Sequence, residues 1–297
     1  MLRLLRLCAL CLAVLLLCGC GAALPEQVDI AATTGPVAQF AREIADGTDL
    51  NVVQVISDSV SCLHDYSLSV RQMEALEKSS LVLISGAGLE EFMEDALASV
   101  REVADCSAGV ELKDMEGHDH HHGHEEDHGH HHEDDPHIWL DPMRAVQMTE
   151  NICAALTMRY PEYETVFRRN TDRLSMELKA LDAYGNAALQ ELRCRELITF
   201  HDGFGYLADA FDLQIVAAIE EESGSEASAK DLMEMIHLVE EHELPAIFTE
   251  VNGSVSAASI IQAELGTEVC TLDMAMGGSD YFQAMRTNID TLKEALQ

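Results

Sequence analysis

The stretch Glu162–Leu192, EYETVFRRNTDRLSMELKALDAYGNAALQEL, decides the architecture. Phe167, Asn170, Leu174, Leu178, Leu181, Ala188 and Leu192 recur at three- and four-residue steps or their multiples, the period of one helix face. Pro161 stands at its start, where a missing N–H costs nothing. Gly185 weakens the interior slightly. About thirty residues at ~1.5 Å each make a rod of roughly 45 Å. Strand-like and helix-like segments alternate on both sides of it. The rod therefore reads as a rigid connector between two α/β halves, with a plain packing helix as the alternative.

Upstream, Asp29–Thr33, Asn51–Ser57 and Leu81–Ser85 read as strands. Pro36–Ala45 reads as a helix, and Ser69-Val70-Arg71-Gln72 has the spacing of a capping box that opens a helix to Lys78. Gly86 and Gly88 close the third strand, and Leu89–Val100 returns as a helix. Downstream, Leu197–Phe200, Leu213–Ala218, Ala246–Thr249 and Glu268–Thr271 read as strands, with helices over Ser228–His242, Ser254–Leu265 and Asp280–Leu296. Such alternation predicts an α/β fold of two lobes, each a mainly parallel sheet flanked by helices. The expected boundaries are a lobe over 20–160, the connector over 161–193 and a second lobe over 194–297.

The first nineteen residues read differently. Arg3 and Arg6 precede an apolar run from Leu7 to Leu17, the length of a secretory h-region and shorter than the ~20 residues of a spanning helix. An uncleaved membrane anchor is the alternative. Leu17-Cys18-Gly19-Cys20 resembles a bacterial lipobox, which implies removal of 1–19 and a lipid on Cys20. The expected location is extracytoplasmic, held to the outer face of the cytoplasmic membrane, or periplasmic without the lipid. With 18 Lys and Arg against 53 Asp and Glu, the chain carries a net charge of −35, and loss of Arg3 and Arg6 makes it more negative. Such a chain repels phosphate, which excludes nucleic acid as a partner. Beyond Cys20 stand Cys62, Cys106, Cys153, Cys194 and Cys270, an odd number without a Cys-x-x-Cys pair, so spacing fixes no disulfide.

Histidine placement carries the chemistry. His118, His120, His121, His122, His124, His128, His130, His131 and His132 crowd between Gly117 and Glu133 among acids and glycines, with no apolar period. This tract reads as a disordered loop that binds metal weakly at several sites, with an inert spacer as the alternative. His124-Glu125-Glu126-Asp127-His128 satisfies the His-Glu-x-x-His pattern literally, but its flanks cannot pack the helix that a metalloprotease requires. His137 opens the apolar, Pro-bounded stretch Pro136-His137-Ile138-Trp139-Leu140-Asp141-Pro142 and reads as ordered. His64 follows the strand Asn51–Ser57, His201 follows Leu197–Phe200, and Asp273 follows Glu268–Thr271. Open parallel sheets bind ligands beyond the carboxyl ends of their strands. His237 and His242 lie among glutamates on a helix and read as solvated.

These segments together resemble the zinc and manganese solute-binding lipoproteins of bacterial ABC importers, the cluster A-I proteins. His64-Asp65-Tyr66 is similar to the family's His-x-Tyr, Asp135–Pro142 matches its most diagnostic segment, and His201-Asp202-Gly203-Phe204-Gly205-Tyr206-Leu207 is similar to its third-ligand segment. The resemblance implies two lobes joined by a long helix, with His64, His137 and His201 binding one ion in the cleft and Asp273 as the closest match to a fourth, carboxylate ligand. It departs at Leu63, where some zinc members carry an acid, and in lacking proline beside His64. Three imidazoles with a carboxylate or water suit tetrahedral Zn²⁺, whereas Mn²⁺ prefers more oxygen ligands. The implied partners are an ABC permease and its ATPase, with the chain a monomer and no catalytic role. An exported zinc hydrolase, or a histidine-rich zinc store or adhesin, are the rival readings. Imidazoles bind metal only when neutral, so capture is expected to weaken as pH falls below ~6.5.

Overall fold

The computed structural model describes residues 28–56, 63, 66–113, 134–220, 228–251, 253, 256–277 and 280–297. The expected leader 1–19, Cys20, Cys62, His64 and the whole Gly117–Glu133 tract lie outside the described residues.

The first half forms β1 (Val28–Ala32), α1 (Gly35–Ala45), β2 (Val52–Gln54), α2 (Val70–Lys78), β3 (Ser79–Ile84), α3 (Glu94–Leu97) and β4 (Val103–Asp105). Then come α4 (Pro142–Arg159) and the long α5 (Glu164–Ala188). The second half continues with β5 (Glu196–His201), α6 (Gly205–Ala210), β6 (Gln214–Glu220), α7 (Ala229–Glu241), β7 (Ala246–Glu250), α8 (Ser256–Leu265), β8 (Glu268–Leu272) and α9 (Tyr281–Leu296). The strand order is β2-β1-β3-β4 in one sheet and β6-β5-β7-β8 in the other, the same arrangement twice. All pairs are parallel, with Ile30 beside both Val52 and Leu81, and Thr199 beside Phe248. The chain is thus α/β with two parallel sheets, as its alternating pattern predicts.

Local chemistry sets most boundaries. Ser69 and Gln72 form both bonds of the expected capping box: Ser69 N–H donates to Gln72 Oε1 at 2.8 Å, and Gln72 N–H to Ser69 Oγ at 3.4 Å. A second box opens α7, between Ser228 and Asp231. Asp141 caps α4 by accepting from Met143 and Arg144 N–H, with Pro142 at the first helical position.

Three regions differ from the sequence reading. Leu89–Val100 is not one helix but a 3-10 turn, Glu91–Met93, followed by the single turn α3. The reason lies in Glu90, whose buried carboxylate accepts from Thr33 Oγ1 (2.6 Å), Ser85 N–H (2.7 Å) and Gly86 N–H (3.0 Å). Its side chain closes the turn after β3 instead of joining an exposed helix face. Helices α4 and α6 and strand β4 add to the expected elements. The long helix is shorter at both ends than Glu162–Leu192, because Pro161–Tyr163 winds as 3-10 and the α-helix stops at Ala188. Its 25 residues span about 37 Å.

That helix touches both halves. Asn170 Nδ2 donates to the carbonyls of Ile44 and Asp46 at 3.0 and 2.8 Å, satisfying the end of α1. At the other end, Tyr184 OH bonds Asp290 of α9, and Gly185 packs on Phe211. The tolerance of glycine in mid-helix is thereby explained: a Cβ at 185 would lie 2.2 Å from Phe211 Cε1. Gly185→Ala gains ~1 kcal/mol of helix propensity but overpacks a buried ring at a cost of ~1–3 kcal/mol. We expect net destabilisation, read as a lower urea midpoint at unchanged slope. A raised midpoint would show that Phe211 swings aside freely. One apolar core runs through both halves, from Val28, Ile30 and Phe40 through Trp139 and Leu178 to Phe204, Tyr281 and Leu292. A smaller cluster, including Ile198, Phe200 and Ile247, packs beneath α7 and α8.

Candidate metal centre

His137 precedes a 3-10 turn, Ile138–Leu140, and is 5% exposed. Asp135 Oδ1 takes its backbone N–H at 2.9 Å and its ring Nδ1 at 2.8 Å. A carboxylate at Nδ1 fixes the proton there and leaves Nε2 as the donor for a metal, the usual arrangement behind a liganding histidine. Asp135 is itself held from the second lobe. Tyr206 OH donates to the Asp135 carbonyl at 2.9 Å and accepts Lys113 N–H at 2.9 Å. Burial pushes the Tyr206 phenol up to about 12, so it keeps its proton for that bond.

His201 is the last residue of β5, one place earlier relative to the strand end than the sequence suggests, and is 4% exposed. Its ring stands 5.3 Å from that of His137, centroid to centroid, with the planes at 89°. Residues from opposite lobes and 64 positions apart are thus face to edge. Gly203 makes room for this imidazole: a Cβ there would fall 2.7 Å from both Cδ2 and Nε2 of His201. Gly203→Ala is expected to displace the ring and weaken metal binding ~10–100-fold, the scale of a lost supporting contact. Unchanged affinity by competition titration would remove Gly203 from the site.

Asp273 follows β8 and is half-buried. Its backbone exchanges two hydrogen bonds with the fully buried Asn288, at 2.8 and 2.7 Å, and its Oδ1 accepts Ala275 N–H at 2.8 Å. The loop it starts is clasped by the first lobe. Trp139 Nε1 donates to Met274 O at 2.8 Å, and Tyr281 OH donates to Trp139 O at 2.7 Å. Gly35 packs so closely on this loop that a Cβ would meet the carbonyls of Met276 and Gly277 at 2.6 and 2.8 Å.

Of the expected ligands, His137 and His201 are brought together, Asp273 stands on the adjoining loop, and His64 lies outside the described residues. Among the described residues, no three His, Cys, Asp or Glu side chains form a group able to hold an ion. His237 and His242 are elsewhere, beside Glu241 at 3.7 Å and Glu196 at 2.9 Å. The role of Asp135 went unassigned from sequence although it stands in the quoted motif; its two-residue offset from His137 was the available signal. Gly203 stands in the quoted His201 segment with no role assigned, and Met274 gave no sequence signal, since what they do depends on contacts between distant segments.

Two parallel sheets of the same strand order are bridged by one long helix, with His137 and His201 meeting where the halves join. The chain belongs to the family described as zinc-uptake complex component A, periplasmic (ZnuA), whose profile matches residues 30–295. It is 28% identical over 288 residues to the zinc-binding protein AdcA of Streptococcus pyogenes, covering 90% of this chain and 56% of that protein. It is also 28% identical over 306 residues to the zinc-binding lipoprotein AdcA of Streptococcus pneumoniae, covering 98% and 60%. The chain thus spans a little over half the length of these relatives. A crystal structure of ZnuA superposes with a TM-score of 0.78 at 26% identity, covering 92% of this chain and all of that one. FpvC from Pseudomonas aeruginosa, solved in complex with Mn²⁺, shares the fold at a TM-score of 0.77 and 23% identity, covering 92% and 99%. The fold alone therefore does not choose the metal. No described helix is long and apolar enough to cross a membrane.

Proposed function

We propose that the chain captures Zn²⁺ outside the cytoplasm and delivers it to an ABC permease driven by its ATPase, tethered by a lipid on Cys20 after loss of 1–19. In this reading 20–160 and 194–297 are the lobes and 161–193 the connector. His64 and His137 come from the first lobe, and His201 and Asp273 from the second. The observation that carries the proposal is the buried His137–His201 pair, with Asp135 holding the His137 proton on the ring nitrogen facing away from the metal. Two imidazoles, a third from His64 and one carboxylate oxygen suit zinc better than manganese. Asp273 Oδ1 accepts the Ala275 N–H at 2.8 Å, which fixes its carboxylate on the loop after β8. The residues bind and release; no bond is made or broken in the cargo, and the protein acts as a monomer.

Trp139 is the sole tryptophan, and its ring lies 5.4 Å from that of His137. Its emission therefore reports on the surroundings of His137. Zinc titration of the chain lacking 117–133 is expected to give one tight site and a saturable change in Trp139 emission. A pure zinc store predicts that tight binding vanishes with the tract, and a hydrolase predicts turnover of an ester or peptide; either result would displace transport. Competition from protons should release zinc as pH drops through the imidazole range near ~6.5.

A further inference from the structure

Met274 is almost wholly buried, 4% exposed, and its environment is defined by one small residue. The point where a Cβ would sit on Gly203 lies 2.7 Å from His201 Nε2 and 2.8 Å from Met274 Cε. Both atoms crowd the same point, so the thioether methyl stands near the Nε2–Cδ2 edge of the imidazole. The Met274 backbone is pinned independently, because its carbonyl accepts the Trp139 Nε1–H. Its neighbour Asp273 is fixed by Asn288 on one side and by the turn to Ala275 on the other. The side chain consequently has a set origin and a set destination.

We infer that Met274 is the specificity-determining residue of this cleft, a methyl plug that keeps additional oxygen ligands away from the ion and so favours Zn²⁺ over Mn²⁺. The inference rests on the zinc-capture reading and adds what selects the metal. Zinc is content with four ligands, and the histidines with one carboxylate complete that set. Manganese gains most from further oxygen donors, and each added water occupies ~30 Å³ beside the ion with polar partners of its own. A buried S–CH₃ group offers neither the space nor a hard donor. A thioether is also a poor ligand for either ion, so the methionine acts by exclusion rather than by coordination.

The test is a metal competition on the full chain, with zinc or manganese salt added against a chelator of known affinity and Trp139 emission as the readout. Four proteins are compared: wild type, Met274→Leu, Met274→Ala and Met274→Gln. Leucine keeps an apolar plug and is expected to hold the wild-type ratio of manganese to zinc Kd within about twofold. Alanine opens room for water, and glutamine places an amide oxygen where the methyl was; each is expected to lower that ratio at least about tenfold. X-ray absorption on the manganese-loaded alanine variant should show more oxygen neighbours than on the leucine variant. Glutamine preserves length, so it decides the matter even if the alanine variant fails to fold. Ratios within about twofold of wild type in the folded alanine and glutamine variants would overturn the plug. Wild type lacking any tight zinc site would instead overturn the capture reading, whatever the variants do, so the two failures are distinguishable.

Discussion

His201→Ala is expected to lower zinc affinity at least ~100-fold while leaving the protein folded. Zinc held by a full ligand set is worth ~10–16 kcal/mol, so one ligand of four carries ~2.5–4 kcal/mol, a factor on the order of 100 to 1,000 in Kd. The partner His137→Ala should match it, because the two rings face the same space 5.3 Å apart. Removing both should not double the free-energy loss, since residues acting on one ion are coupled. The measurement is chelator competition monitored by Trp139 emission, on protein lacking 117–133 so that the histidine tract cannot compensate. Stability should change less than binding, because the His201 ring lies close on Gly203 and its loss removes one imidazole from the core. Stoichiometric tight binding by the double variant would refute the cleft as the zinc site.

Trp139→Ala is expected to be the most destabilising single change, by ~3–5 kcal/mol. The ring is fully buried and the largest side chain of the core. It also satisfies Met274 O across the lobe junction, and a buried carbonyl left without its donor costs a further ~1–3 kcal/mol. Against a typical net stability of ~5–15 kcal/mol this is a large fraction. Trp139→Phe separates the two contributions, since it keeps most of the bulk but removes the N–H; a loss of ~1–3 kcal/mol is expected. Zinc affinity should fall in both, as the loop bearing Asp273 loses its clasp. Urea midpoints provide the check, and an alanine variant within ~1 kcal/mol of wild type would show that this loop is held by other means.

Features with a local cause were legible in the sequence. The capping box at Ser69 declares its helix within four residues, and the helix beginning at Ser228 was read from its pattern before its own box was seen. The placement of His201 was accessible through the strand-end rule, a topological argument, whereas its meeting with His137 was implied only by the family resemblance. What stayed hidden was non-local. Glu90 looks like one more acid on an exposed helix until its carboxylate is found under Ser85 and Gly86, where it ends that helix. Gly185 reads as a mild defect and is instead the socket for Phe211, a residue from a different element. The sequence offered Asp273 as a fourth ligand without revealing that its Oδ1 accepts the Ala275 N–H. Met274 had no motif at all, because its meaning depends on the absence of a side chain at Gly203.

The apolar core that runs unbroken from Val28 to Leu292 gives the molecule a thermal behaviour unlike that of two beads on a string. Heating should produce a single endotherm, since melting either sheet alone would strand half of a shared interior in water. Cargo held at the junction should raise that one transition as a whole, by an amount growing with the logarithm of free zinc. A calorimetric trace resolving into two peaks, only one of them metal-sensitive, would mean the halves are energetically separate after all.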